Sequence, residues 1–110
     1  MVEIKQGTII KINLDPKEGH EQRGYRPYVC LSHSVVQNYS NIAIFAPISN
    51  TKRDYPFYVP LEGTKSTGKV LLDQPVTIDF RARKYKFVED IADSLLIELL
   101  SRVKVIFEKG

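Results

Sequence analysis

From Thr8 to Leu14 apolar and polar residues alternate, Ile10, Ile12 and Leu14 being separated by Lys11 and Asn13. That is the period-2 pattern of a strand with one buried face. Asp15-Pro16 ends it. The stretch from Lys17 to Arg26 is polar, contains Gly19 and Gly24 and has no period, so a long loop is expected there, of the kind that carries function on a small barrel. Tyr28 to Ser32 and Ile42 to Ile48 are apolar runs rich in β-branched and aromatic residues, expected as central strands with Gln37 to Asn41 separating them. Shorter strands are expected at Phe57 to Leu61, Lys69 to Leu72, Val76 to Phe80 and Lys86 to Val88, with turns at Glu62-Gly63 and Thr67-Gly68. The period then lengthens. Ala92, Leu96, Leu99, Val103 and Ile106, widened by Leu95, Leu100 and Phe107, form the stripe of an amphipathic helix. Asp90 and Asp93 near its start and Arg102, Lys104 and Lys109 near its end suit the helix dipole. Closely spaced short strands followed by one helix predict a mainly β (α+β) chain built as a barrel or sandwich.

Composition narrows the class. A chain of 110 residues has room for one domain, expected to span residues 1–110. Its 43% hydrophobic and 26% charged residues are ordinary for a globular protein. Sixteen Lys and Arg against thirteen Asp and Glu give a net charge of +3, which mildly favours an anionic partner. Cys30 is the only cysteine, excluding an intrachain disulfide or a CxxC metal site and fitting a reducing cytosol. No apolar run is long enough to span a bilayer, and the first residues lack the layout of a secretory signal. A cytoplasmic location and no membrane partner are therefore expected, and nothing in the composition calls for a cofactor.

The loop Pro16-Lys17-Glu18-Gly19-His20-Glu21-Gln22-Arg23-Gly24-Tyr25-Arg26-Pro27 gathers a histidine, two carboxylates and two arginines among glycines that let backbone approach a ligand. Pro27 disfavours a helical Arg26 and so holds it extended at the mouth of the next strand. A guanidinium fixed there presents a rigid, permanently charged fork of donors suited to phosphate.

Asp15-Pro16, Gly19-His20-Glu21-Gln22, Gly24 and Arg26-Pro27 resemble the signature loop of the MazF/PemK family of toxin endoribonucleases, particularly its PemK or Kid branch. Ala46-Pro47-Ile48-Ser49, the stretch from Gly68 through Leu72-Asp73-Gln74-Pro75, and Thr77-Ile78-Asp79 through Arg81-Ala82-Arg83 resemble it too. With the terminal helix, the likeness spans nearly the whole chain. It implies an SH3-like β-barrel with a C-terminal amphipathic helix, the CcdB/PemK-like toxin fold. It also implies a homodimer that cuts single-stranded messenger RNA at short sequences without a metal and is held inactive by a cognate antitoxin. The toxin–antitoxin complex is then expected to bind operator DNA through the antitoxin.

The chemistry so implied is attack of a ribose 2′-hydroxyl on the adjacent phosphorus, leaving a 2′,3′-cyclic phosphate and a 5′-hydroxyl. Such a step needs a base, an acid for the leaving oxygen and positive charge on the phosphoryl oxygens. Arg26 matches the family's catalytic arginine; its plain alternative is a surface pair with Glu18 or Glu21. Ser49 stands where many members carry threonine, keeping the hydroxyl without the methyl that fixes its orientation. Glu21 and His20 each match a residue given a proton-transfer role, and the residues leave the choice between them open. Histidine starts nearer neutrality. Asp73 matches a catalytic aspartate of the PemK branch, but that branch has an arginine two residues earlier where this chain has Leu71. Arg23, Tyr25, Lys52, Arg53, Lys69, Arg81, Arg83 and Lys84 are the expected RNA contacts, a basic track with aromatic rings for unpaired bases. For any one of these cations a solvated surface charge is the plain alternative. Tyr55 and Phe57 are further stacking candidates, Phe57 being better suited to the core.

Two other functions fit the same residues. One is a toxin that traps DNA gyrase without catalysis, which has no need of the Gly-His-Glu-Gln loop together with Arg26. The other is a catalytically silent RNA-binding or antitoxin-binding barrel, with Ser49 and Leu71 marking lost activity.

Overall fold

The computed structural model describes residues 4–14 and 24–110. Seven strands make one antiparallel sheet: β1 (Thr8–Asn13), β2 (Tyr25–Cys30), β3 (Ala43–Ser49), β4 (Tyr58–Pro60), β5 (Lys69–Leu71), β6 (Val76–Ile78) and β7 (Tyr85–Asp90). Helix α1 (Ser34–Ser40) lies between β2 and β3, a 3₁₀ turn covers Phe80–Ala82, and α2 (Asp93–Ile106) closes the chain. The strands run in the order β4-β5-β3-β2-β1-β7, with β6 added alongside the early part of β3. The two ends of this order approach one another: Glu89 on β7 accepts from the backbone of Lys65 and Ser66, which follow β4.

Both faces of the sheet are covered. On one side Ile9, Val29, Ala46, Ile48, Val59, Val70 and Leu72 meet Leu95 and Leu99 of α2. On the other, Ile10, Ile12, Cys30, Ala43 and Phe45 meet Ile78 and Phe80, with the Phe80 ring edge-on to Phe45 and Tyr85. Double coverage explains why the central strands read as continuous apolar runs rather than alternating ones. Cys30 is buried in this second cluster. Its thiol is pushed up by burial, against opposing hydrogen bonds with Ser32.

Several boundaries differ from those expected. β2 begins at Tyr25, so Arg26 belongs to the strand and not to the loop. Helix α1 occupies much of the expected separator. It is only 7 residues long, is capped by His33, whose Nδ1 accepts from Val35 N at 3.0 Å, and ends at Asn41 in the left-handed region (φ 58). With Val35 and Tyr39 exposed, it has no apolar stripe to betray it. Its anchor is Gln37, buried, donating to Ile4 O at 2.7 Å. The Val76–Phe80 strand stops at Ile78 because Phe80 turns inward to the core. Asp90 belongs to β7 rather than to the helix start, and accepts from the buried Thr8 hydroxyl at 2.6 Å.

Candidate active site and nucleic-acid interface

Antiparallel register sets one row of side chains. Arg26 pairs with Ile12 across β1. On its other side the β2–β3 pairing runs from Cys30 with Phe45 to Tyr28 with Pro47, and extending that register by two residues would bring Arg26 level with Ser49. Ser49 in turn pairs with Lys69, and Lys69 with Pro60. Residues in one row share a face, with Cα atoms about 4.5–5.5 Å apart between neighbours. Ser49 and Lys69 are directly paired, and extension of the β2–β3 register adds Arg26 to their row, so that two cations flank a hydroxyl. Arg26 is exposed, whereas Ser49 and Lys69 are half-buried. Within this row the Ser49 Oγ accepts from Thr51 N at 3.3 Å, which orients a side chain that lacks threonine's methyl.

The row continues into an aromatic shelf. Lys69 Nζ donates to Arg53 O at 2.6 Å, and Arg53 N donates to Thr51 Oγ1 at 3.2 Å. The Arg53 guanidinium lies 4.6 Å from the centre of the Tyr55 ring and 5.6 Å from that of Tyr58, within cation–π range. Tyr55 meets Tyr58 and Phe57 edge-on, at 4.8 and 5.7 Å between centroids. Asp73, in the turn closed by Gln74 N to Leu71 O at 3.2 Å, takes a hydrogen bond from the Tyr55 hydroxyl, the main reason that this phenol is held above its ordinary pKa. Gln74 Nε2 donates to Tyr58 Oη at 3.0 Å. Phe57 itself is partly buried against the first core cluster.

The remaining expected cations divide. Arg83 Nη1 donates to Asn13 O at 2.9 Å, and Asn13 pairs with Tyr25, so both lie at the Arg26 end of the sheet. Arg81 points elsewhere: its Nη1 donates to Asn41 Oδ1 at 2.6 Å and its guanidinium lies over Phe80. Asn41 lies two residues before β3, whose first residue is itself roughly 20 Å of strand away from Ser49. Lys52 and Lys84 are exposed. His20, Glu21 and Arg23 fall outside the described residues. Among the described residues no group of three or more His, Cys, Asp or Glu could hold a metal ion. No helix among them is long and apolar enough to cross a membrane.

Composition and motif spacing missed two features. The shelf brings Arg53, Tyr55, Tyr58 and Asp73 together only through the pairing of β4 with β5, which no local pattern announces. Glu89 is the other. Its carboxylate accepts from Lys65 N at 3.1 Å and from Ser66 N and Oγ at 2.8 Å each. Partial burial pushes its pKa up, but these hydrogen bonds outweigh that and hold it below the ordinary value.

A curled antiparallel sheet with a terminal helix, carrying cations beside an arginine–tyrosine shelf, defines a small β-barrel with one cationic, aromatic-lined face. Residues 5–107 match the family model of PemK-like, MazF-like toxins of type II toxin-antitoxin systems, and the chain belongs to that family. It is 33% identical over 109 residues to the endoribonuclease PemK of Escherichia coli, covering 94% of this chain and 82% of that protein. Over 77 residues it is 38% identical to the endoribonuclease toxin MazF of Escherichia coli strain K12, covering 70% and 69%. In fold it is similar to a MazE–MazF structure from Deinococcus radiodurans, at a TM-score of 0.81 with 20% identity and full coverage of both chains.

Proposed function

We propose that this chain is the toxin of a type II toxin-antitoxin pair and acts as a metal-independent endoribonuclease on single-stranded messenger RNA. The observation that carries the catalytic part is the direct pairing of Ser49 with Lys69, beside an exposed, extended Arg26 that the β2–β3 register, continued by two residues, brings into the same row. A phosphodiester lying over Ser49 meets a guanidinium on one side and an ammonium on the other. As the ribose 2′-oxygen bonds to phosphorus and the bond to the 5′-oxygen breaks, charge builds on the phosphoryl oxygens. Arg26 stabilises that charge and Ser49 Oγ donates to one of these oxygens. The base takes the 2′-hydroxyl proton and an acid returns one to the 5′-oxygen. His20 and Glu21 are the residues assigned to this exchange, with Arg26 a second source for the leaving-group proton. Arg53 and the Tyr55 and Tyr58 rings hold the bases on one side of the cut, and Arg83 and Tyr25 lie on the other.

Two features support an antitoxin partner: the family to which the chain belongs, and the joint structure of MazE with the Deinococcus protein of the same fold. The partner is expected as an acidic segment that competes with RNA for the cationic row and orders on binding. The homodimer, the cytoplasmic location and operator binding through the antitoxin belong to the same reading. Incubating the purified protein with a long unstructured RNA in the presence of a chelator tests it. Fragments ending in 2′,3′-cyclic phosphate are expected from the wild type, with strong loss in Arg26→Ala. Full cleavage by Arg26→Ala overturns the assigned mechanism. Trapping of gyrase without RNA cleavage overturns the enzymatic reading itself.

A further inference from the structure

We propose that Glu89 is a positioning residue for RNA: from β7 its carboxylate holds the loop between β4 and β5 against the cationic row, and so sets the KM and the choice of cleavage site. The inference rests on the nuclease reading above. Glu89 touches none of the expected reacting groups. It accepts three hydrogen bonds from two consecutive residues, Lys65 N on one oxygen, and Ser66 N and Ser66 Oγ on the other. Both backbone donors of the loop tip are thereby taken up by one carboxylate on a different strand, a stronger fastening than neutral acceptors provide. The loop is also braced from within, by Thr64 Oγ1 donating to Ser66 O at 2.7 Å and by Leu61 N to Gly68 O at 2.9 Å.

The next residues of the loop meet the site directly. Thr67 Oγ1 lies 3.5 Å from Asn50 Oδ1. Gly68 has φ +114, and a Cβ built on it falls 2.7 Å from Ser49 O. Lys69 then pairs with Ser49. Between the carboxylate at Ser66 and the cation at Lys69 there are only two residues, both in contact with the end of β3. A displacement of the tip is therefore passed to Ser49 and Lys69 by a short, well-braced segment.

The test separates positioning from mere stability. Loss of folded protein lowers the apparent kcat in proportion and leaves KM and the distribution of cleavage ends unchanged, because the surviving molecules are normal. Wild type, Glu89→Gln and Ser66→Ala are assayed on one long unstructured RNA, with end mapping and with KM and kcat on the preferred site. In Glu89→Gln an amide NH₂ faces one of the loop's own donors, and about a tenfold rise in KM with a broadened set of cleavage sites is expected. Ser66→Ala removes a single hydrogen bond and keeps the fold within reach; a smaller rise, about two- to threefold, is expected. If wild type cleaves and both variants keep its KM and its cleavage pattern, Glu89 has no positioning role. An insoluble Glu89→Gln leaves Ser66→Ala to decide in the same way. Absence of cleavage by wild type overturns the nuclease reading, and this inference with it.

Discussion

Gly68 is a point where the β4–β5 loop presses on the backbone of Ser49, and alanine there is a sharp probe of that contact. Its φ of +114 is a region that residues with a Cβ rarely adopt, which by itself costs about 1–3 kcal/mol. The new methyl would lie 2.7 Å from Ser49 O and 3.0 Å from Asn50 Oδ1, against 3.4 Å for ordinary contact. The asparagine amide can swing aside, but the Ser49 carbonyl belongs to β3, so loop and strand must part by roughly 0.7 Å or the pairing of Ser49 with Lys69 must open. Adding the clash brings the expected loss to about 3–4 kcal/mol, a fall in Tm on the order of 15 °C for a domain of this size. Gly63 is the internal control. It lies in the same loop at φ +69 with nothing within 4 Å of its built Cβ, so Gly63→Ala carries the backbone penalty alone, about 1–2 kcal/mol. Thermal and urea denaturation at matched protein concentration measure the two losses. RNA cleavage at saturating substrate reports the second consequence, because a misplacement near 1 Å at a reacting centre lowers the rate by about a hundredfold. Equal destabilisation by the two variants, or full activity in Gly68→Ala, would refute the argument that this contact sets the geometry of Ser49.

Other outcomes follow from single features. Arg26→Ala is expected to lower kcat by about 10²- to 10³-fold, as removal of a transition-state donor does, with a Tm near that of wild type because the side chain is exposed. Leu99→Ala, at a fully buried position of α2, is expected to cost about 2–5 kcal/mol in urea unfolding. Glu89, whose folded pKa lies below the ordinary glutamate value of 4.5, contributes stability that is fully present above that value and is lost as pH falls through the folded pKa. The gap in urea midpoint between wild type and Glu89→Gln should thus be constant above about pH 5 and close in more acid solution. A gap that widens on acidification would contradict the assignment.

Local rules explain which of these features are legible from sequence. Alternation placed β1, and the apolar runs placed β2 and β3, because burial on one or both faces leaves a direct imprint on residue type. The X-Pro restriction placed Arg26 in an extended conformation, and Arg26 does lie in β2. Helix α1 left no such imprint, being held by one cap and one buried amide from Gln37. Arg81 and Arg83 show the limit most clearly. Two residues apart and alike in sequence, they bond to Asn41 and Asn13, because the 3₁₀ turn at Phe80–Ala82 divides their directions. The shelf and the Glu89 fastening are products of register and barrel closure, which depend on the whole sheet.

Leu71 shows how the row accommodates a departure from the PemK branch. It pairs with Tyr58 and is buried, and by alternation it shares a face with Lys69. With leucine there, the Tyr55 hydroxyl bonds to Asp73, and the Arg53 guanidinium stacks on that same Tyr55 ring while its carbonyl is tied to Lys69. In the proposed reading the positive charge facing the phosphate is thus carried by Arg26 and Lys69 within the row, and Arg53 serves the bases. The prediction that separates this arrangement from the branch's own is a comparison of two variants. Lys69→Met should lower kcat/KM through loss of phosphate contact whatever the bases, whereas Arg53→Ala should act unevenly across cleavage sites, because stacking on different bases differs in strength. Equal, sequence-independent losses in both would place Arg53 on the phosphate beside Lys69 and refute its assignment to the bases.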